Sequence, residues 1–291
     1  MDFGANWQQY DQLYHPLPPD EWVTSETLTG TAVPHPLRIG TSGWSRAAYM
    51  GTLYPRGIKE TGLLTEYSRL FNCVELNATH YKIYAPDAVR KWVEKTGSRD
   101  FKFCPKVPQS ISHHSTLLNA GVETAAFLEG IAAFEDRLGP IFLQLSEYFS
   151  PVRKINLYKY LESLPRELTF FVEVRHPDWF GNPRERAELF RTLKDLGIGA
   201  VITDTPGRRD CLHMGLTIPK LMLRFVTQGG HPLDSIRLRD WKARLDEWNA
   251  RGLEETYFFL HVHDGKYEAG FYEEVQALFG LARSQPQMTL F

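Results

Sequence analysis

The chain has 291 residues, 43% of them hydrophobic and 23% charged, a composition that fits one globular domain and excludes a disordered or fibrous protein. Its 33 Lys and Arg against 35 Asp and Glu leave a net charge of -2, so a nucleic acid or anionic membrane would have to be held by local charge, not by a global positive field. Cys73, Cys104 and Cys211 form no CxxC pair, no apolar run approaches the roughly 18 residues of a membrane span, and the polar start lacks signal-peptide regions, so a cytoplasmic protein with reduced thiols is expected.

Residues 1–36 carry Pro16, Pro18, Pro19, Pro34 and Pro36 among scattered aromatics and read as an N-terminal extension partly packed on the body. From Leu37 onward β-rich runs alternate with amphipathic stretches, eight times. The predicted strands are Leu37–Ser42, Cys73–Asn77, Phe101–Lys106, Ile141–Ser146, Phe170–Arg175, Gly199–Asp204, Leu221–Val226 and Tyr257–His263. Helices are expected near 61–71, 86–96, 121–137, 154–163, 184–196, 234–250 and 271–282. The sixth crossover, TPGRRDCLHMGLTIP (205–219), holds two prolines and two glycines, so its helix should be short or missing. Such units close most naturally into a single-domain α/β fold of the TIM-type (β/α)8 barrel over residues 37–283, although an open doubly wound sheet gives similar alternation. Residues 284–291 form a C-terminal tail.

A parallel strand covered on both faces reads as a continuous apolar run, so polar residues inside it are the informative exceptions. Here they gather at the C-terminal strand ends, where barrel enzymes build their active sites. By the two-residue period Glu75 and Asn77 share a face, as do Glu173 with Arg175 and His261 with His263, while Lys106, Gln144, Asp204 and Arg224 sit at comparable depths. The following loops add Thr79, His80, Tyr81, His113, His176, Trp179, Arg208, Arg209 and Asp264.

Lys106, Arg175 and Arg224 suit a phosphate or carboxylate, and Glu75, Glu173 and Asp204 suit acid–base work or water activation. A buried Glu–Arg network held only for structure is the competing reading. His261, His263 and Asp264 have the spacing of a divalent-metal site, and a hydrogen-bonded pair without metal fits equally well. No GxSxG, P-loop, GxGxxG or HExxH motif is present, which disfavours serine-nucleophile and nucleotide-cofactor chemistry.

The segments IGTSGWSRAAYMGTLYP (39–55), FNCVELNATHYKIYAPDAVRKW (71–92), FKFCPKVPQSISHH (101–114), LGPIFLQLSEYF (138–149), FVEVRHPDWF (171–180) and VITDTPG (201–207) resemble the YecE-like family, domain of unknown function 72. The resemblance spans about residues 37–282 and implies a TIM-type barrel without implying an established activity. It marks Gly43, Trp44, Tyr54, Pro55, Glu75, Asn77, Thr79, Tyr81, Lys106, His113, Gln144, Glu173, Arg175, His176, Trp179 and Asp204 as motif positions. Strand 8 departs from it, with FFLHVHDG (258–265) where the family usually has a Phe-Phe-Asn-Asn type sequence.

The tail's Gln287, Met288, Leu290 and Phe291 resemble the short Gln-x-x-Leu-Phe peptides that bind the bacterial sliding clamp, with an apolar tail folded on its own barrel as the alternative. Three functions stay open: a hydrolase or lyase, with or without a metal, acting on a phosphate-bearing substrate, nucleic acid included, in repair or replication; an enzyme for a small phosphosugar or carboxylate; and a non-catalytic nucleic-acid or clamp-binding module in which Trp44, Tyr81 and Trp179 stack bases. In the first, Glu75, Glu173, Asp204 and His176 are the catalytic candidates. Trp44, Asn77, Thr79, Tyr81, Lys106, His113, Gln144, Arg175, Trp179 and Arg224 would bind the substrate. No membrane partner is expected.

Overall fold

Eight parallel strands form close to where their apolar runs fall: β1 (Leu37–Thr41), β2 (Cys73–Leu76), β3 (Lys102–Pro105), β4 (Ile141–Gln144), β5 (Phe170–Glu173), β6 (Gly199–Asp204), β7 (Lys220–Val226) and β8 (Glu255–His261). The computed structural model describes residues 16–32, 34–262 and 265–281. Six strands join in the order β1-β8-β7-β6-β5-β4 as one curled half-barrel, and β2-β3 form a separate pair. The expectation of a continuous eight-stranded barrel is therefore met only in part. At the β1/β2 edge a side chain replaces the ladder, because Asn72 Oδ1 accepts from Ile39 N (2.7 Å) and its amide donates to the Leu37 carbonyl (3.0 Å). At the β3/β4 edge only isolated bridges form, among them Gly139 N to the Phe103 carbonyl (2.7 Å) and Val107 N to the Phe142 carbonyl (2.9 Å).

Inside the curl, β2 to β8 contribute one apolar floor: Cys73, Cys104, Phe142, Phe171, Val201, Met222, Tyr257 and Phe259. The larger core lies between the strands and the outer helices, which include Pro86–Thr96, Pro183–Asp195, Pro232–Ala250 and Gly265–Phe279. The sixth crossover holds only a 3-10 segment, Pro206–Cys211, as its prolines and glycines lead one to expect. No helix among the described residues is long and apolar enough to cross a membrane.

The described part of the N-terminal extension is pinned to the body. Asp20 takes Arg244 (3.0 Å), Arg251 (2.6 Å) and the Trp248 indole N–H (3.1 Å), and Leu216 N donates to Thr24 Oγ1 (2.8 Å). A short helix, Trp22–Thr27, forms here that the irregular sequence did not announce.

The β1/β2 edge is close enough to leave no room for a side chain. A Cβ at Gly40 would sit 2.2 Å from the Cys73 carbonyl oxygen, and backbone cannot step aside as a flexible side chain can. Gly40→Ala is expected to cost about 1–3 kcal/mol in chemical denaturation; an unchanged midpoint would show that the two strands are not in this close register.

Candidate functional site

One step of the two-residue period above the apolar floor, the inward positions turn polar: Glu75 follows Cys73, Lys106 follows Cys104, Gln144 follows Phe142, Glu173 follows Phe171, Thr203 follows Val201, Arg224 follows Met222 and His261 follows Phe259. All but Thr203 are buried and hydrogen-bonded to one another. Arg224 bridges both carboxylates, with Nε and Nη2 on Glu75 (2.9 and 3.0 Å) and Nη1 on Glu173 (2.9 Å). His261 Nε2 and the Asn77 amide lie 3.0 and 2.9 Å from the Glu75 oxygens. Arg175 Nε donates to Glu173 (2.7 Å), Gln144 donates its amide to Glu173 (2.7 Å), and Lys106 Nζ donates to Gln144 Oε1 (2.7 Å).

Electrostatics divides these groups into fixed and titratable ones. Burial alone would push the Glu75 carboxyl up, but Arg224 and His261 hold it well below the usual carboxylate range. Burial of Glu173 is likewise outweighed, by Arg175 and Arg224, and its pKa falls to about 2. Burial lowers His261 against the pull of Glu75, so a neutral imidazole donates its Nε2 proton to that carboxylate. Lys106 is the group left near neutrality, because burial first and then the Arg224 charge bring its amine down to about 7. Beside it, burial and Lys106 hold His80 at about 4, with its Nδ1 3.0 Å from the Val107 carbonyl and its ring 5.0 Å from His113.

Several sequence-predicted site residues serve other ends. Asp204 is one residue out of phase: Thr203, not Asp204, stands beside Arg224 in the β6/β7 register. The Asp204 side chain faces the helix Pro232–Ala250, accepting from the Trp241 indole (2.7 Å) and pairing with Arg237 (2.9 Å) and Arg209. Since one residue of register exchanges the two faces of a strand, it lies outside the ring. His176 accepts from Asp178 N (3.2 Å) at the start of a short helix, and buried Trp179 donates its indole N–H to the Phe149 carbonyl (2.8 Å), so neither joins the ring and Trp179 offers no stacking face. The Thr79 hydroxyl is buried 2.8 Å from both the Leu76 and Lys106 carbonyls, where it closes the turn after β2.

Arg224 is fully buried and paired with two carboxylates, while Glu75 and Glu173, held ionised, are not poised to take a proton near neutrality. Trp44 packs edge-on against Trp92 at 5.6 Å; Tyr81 is 69% exposed at the rim, and His113 is exposed there too. Among the described residues no group of three His, Cys, Asp or Glu side chains could hold a metal ion. His261 is already engaged by Glu75, whereas His263, Asp264 and Gln287 to Phe291 lie outside the described residues.

Sequence reasoning missed the cavity beside the ring. It is a small depression open to solvent, lined by Glu173, Val174, Arg175, Val201, Thr203, Thr205, Arg208 and Cys211. Thr203 and Thr205 read as ordinary strand formers, and their inward placement depends on register.

Residues 38–289 match the family model described as "Protein of unknown function DUF72". The chain belongs to the DUF72 family. It is 33% identical over 219 residues to UPF0759 protein YecE of Escherichia coli K12, an alignment covering 69% of this chain and 79% of that protein. Two solved DUF72 structures share the fold: one from Thermotoga maritima, 25% identical with a TM-score of 0.67 over 84% of this chain and 100% of that one, and one from Enterococcus faecalis, 18% identical with a TM-score of 0.68 over 87% and 100%. The family that the six sequence segments resembled is thus the family of the whole strand-bearing region, and its description carries no activity.

Proposed function

We propose that the mouth of this DUF72 fold is the active site of an enzyme for a small anionic substrate, with Lys106 as its proton carrier. The observation that carries this reading is a buried amine, bound to the neutral Gln144 Oε1 at 2.7 Å and brought to about 7, at the C-terminal end of an inward-facing strand. A lysine kept only for structure would be expected to face a carboxylate directly. Here Glu75 and Glu173 are saturated by Arg224, Arg175, His261, Asn77 and Gln144, and they set the local field in which Lys106 titrates. Closing the β1/β2 and β3/β4 edges into a full (β/α)8 barrel would bring all of these groups around one mouth.

Metal-independent acid–base chemistry on a carboxylate or phosphate compound suits this donor set better than metal-assisted hydrolysis. A phosphate-bearing nucleic acid remains within the same chemical class. Thermal-shift screening of phosphorylated and carboxylated metabolites would find the substrate class. On a turned-over hit, Lys106→Met is expected to lower kcat by about 10²–10⁴-fold and to remove a pH-rate limb centred near 7. A variant that keeps both rate and limb would overturn the assignment.

A further inference from the structure

We infer that the cavity between β5, β6 and the segment Pro206–Cys211 is the subsite that anchors the oxyanion of the substrate, a carboxylate or a phosphate group, through Thr203 and Arg208. The inference rests on the reading of the mouth as an active site and adds where the anion sits and which side chains select it.

Thr203 supplies the first argument. Its Oγ1 is buried and has no hydrogen-bond partner among the described residues, although it lines a cavity open to solvent. A buried hydroxyl left unpaired is destabilising, and an acceptor entering the cavity would remove that cost.

Arg208 supplies the second. Its Nε and Nη2 grip Asp210 at 2.9 and 3.0 Å, and Nη2 also reaches the Arg175 carbonyl (2.6 Å) and Cys211 Sγ (2.8 Å). These contacts fix the guanidinium plane on the cavity wall and leave Nη1 without a hydrogen bond among the described residues. A planar donor locked on one edge and open on the other is a pre-oriented holder for an oxyanion.

The rest of the wall does not oppose an anion. Glu173 is its one carboxylate, and both oxygens are taken, Oε1 by Arg175 and Oε2 by Gln144 and Arg224. Burial pushes the Cys211 thiol up to about 12, so it stays neutral, and Arg175 adds a second cation. Glu173 lies two hydrogen bonds from Lys106, through Gln144, so an anion anchored here is carried to the side of the ring where the titrating amine stands.

Titration calorimetry of the full chain with inorganic phosphate, with malonate and with uncharged glycerol tests this. Millimolar binding of phosphate, malonate or both, and none of glycerol, is expected; which anion binds identifies a phosphate ester or a carboxylate as the substrate's head. Arg208→Ala and Thr203→Val should each weaken the anion at least tenfold, with Arg208→Lys between wild type and Arg208→Ala, while Arg90→Ala on a distant helix changes nothing. Lys106→Met should still bind the anion, so loss of turnover with retained binding separates this subsite from the proton-carrier reading. No saturable anion binding, or binding indifferent to both Thr203→Val and Arg208→Lys, overturns the proposal.

Discussion

An Arg224→Met variant is expected to lose about 3–5 kcal/mol of stability in urea or guanidinium unfolding, because it leaves Glu75 and Glu173 buried without their shared cation. Methionine preserves most of the stem volume, so the loss reports uncompensated charge more than an empty cavity. The same physics gives the control. Adding Glu75→Gln and Glu173→Gln to Arg224→Met removes the stranded charges, and the triple variant should recover more than half of the loss. A single variant within about 1 kcal/mol of wild type, or a triple variant that is the least stable of all, would mean that the ring carries little buried charge. The outcome also bears on function: if Arg224 is the hub that keeps both carboxylates ionised, its removal should disturb the titration of Lys106 as well, since Arg224 is the cation that lowers that amine most.

The ring was legible in the sequence for a definite reason. Glu75, Lys106, Gln144, Glu173, Arg224 and His261 each interrupt an apolar run that is buried on both faces, and each continues, at period two, the face that carries the apolar floor. Asp204 shows the limit of that logic. It ends a strand just as Arg224 nearly does, but its phase puts it toward Trp241 and Arg237, and phase depends on register that a single strand does not encode. Trp179 and Thr79 failed differently: an indole N–H and a hydroxyl near a strand end are as readily spent on a carbonyl as on a ligand, and here both are spent. The interrupted sheet edges had no sequence signal either, because at β1/β2 a lone asparagine, Asn72, replaces part of a ladder that apolar alternation alone would have continued. His-x-His at strand 8 suggested a metal, yet the structure gives its first imidazole to Glu75, a partner distant in sequence.

Lys106 should leave its own mark on the pH dependence of stability, in a window that opens near 7, above the lowered carboxylates and histidines and below most of the alkaline transitions. Its native-state pKa of about 7 lies below its ordinary value of 10.5, so between those limits the unfolded chain holds a proton that the native protein does not. Raising the pH through this interval removes the unfolded state's advantage, and stability rises; below about 7 both states are protonated and the contribution is constant. The lowered carboxylates Glu75 and Glu173 act only in acid, where stability falls as they protonate, and His80 and His213, each held at about 4, weaken the fold as the pH drops through the ordinary histidine range toward that value. At the alkaline end, buried Cys73 and Tyr67, raised well above their ordinary values, act with the opposite sign to Lys106, because the unfolded chain ionises first. The wild-type curve alone therefore mixes contributions, and the difference between wild type and Lys106→Met isolates one of them. That difference should favour the methionine variant most at and below neutrality and shrink by about 2–3 kcal/mol between roughly pH 7 and 9 in urea unfolding. Parallel curves would show that Lys106 titrates as an ordinary lysine, and with that the chemical case for it as a proton carrier would fall.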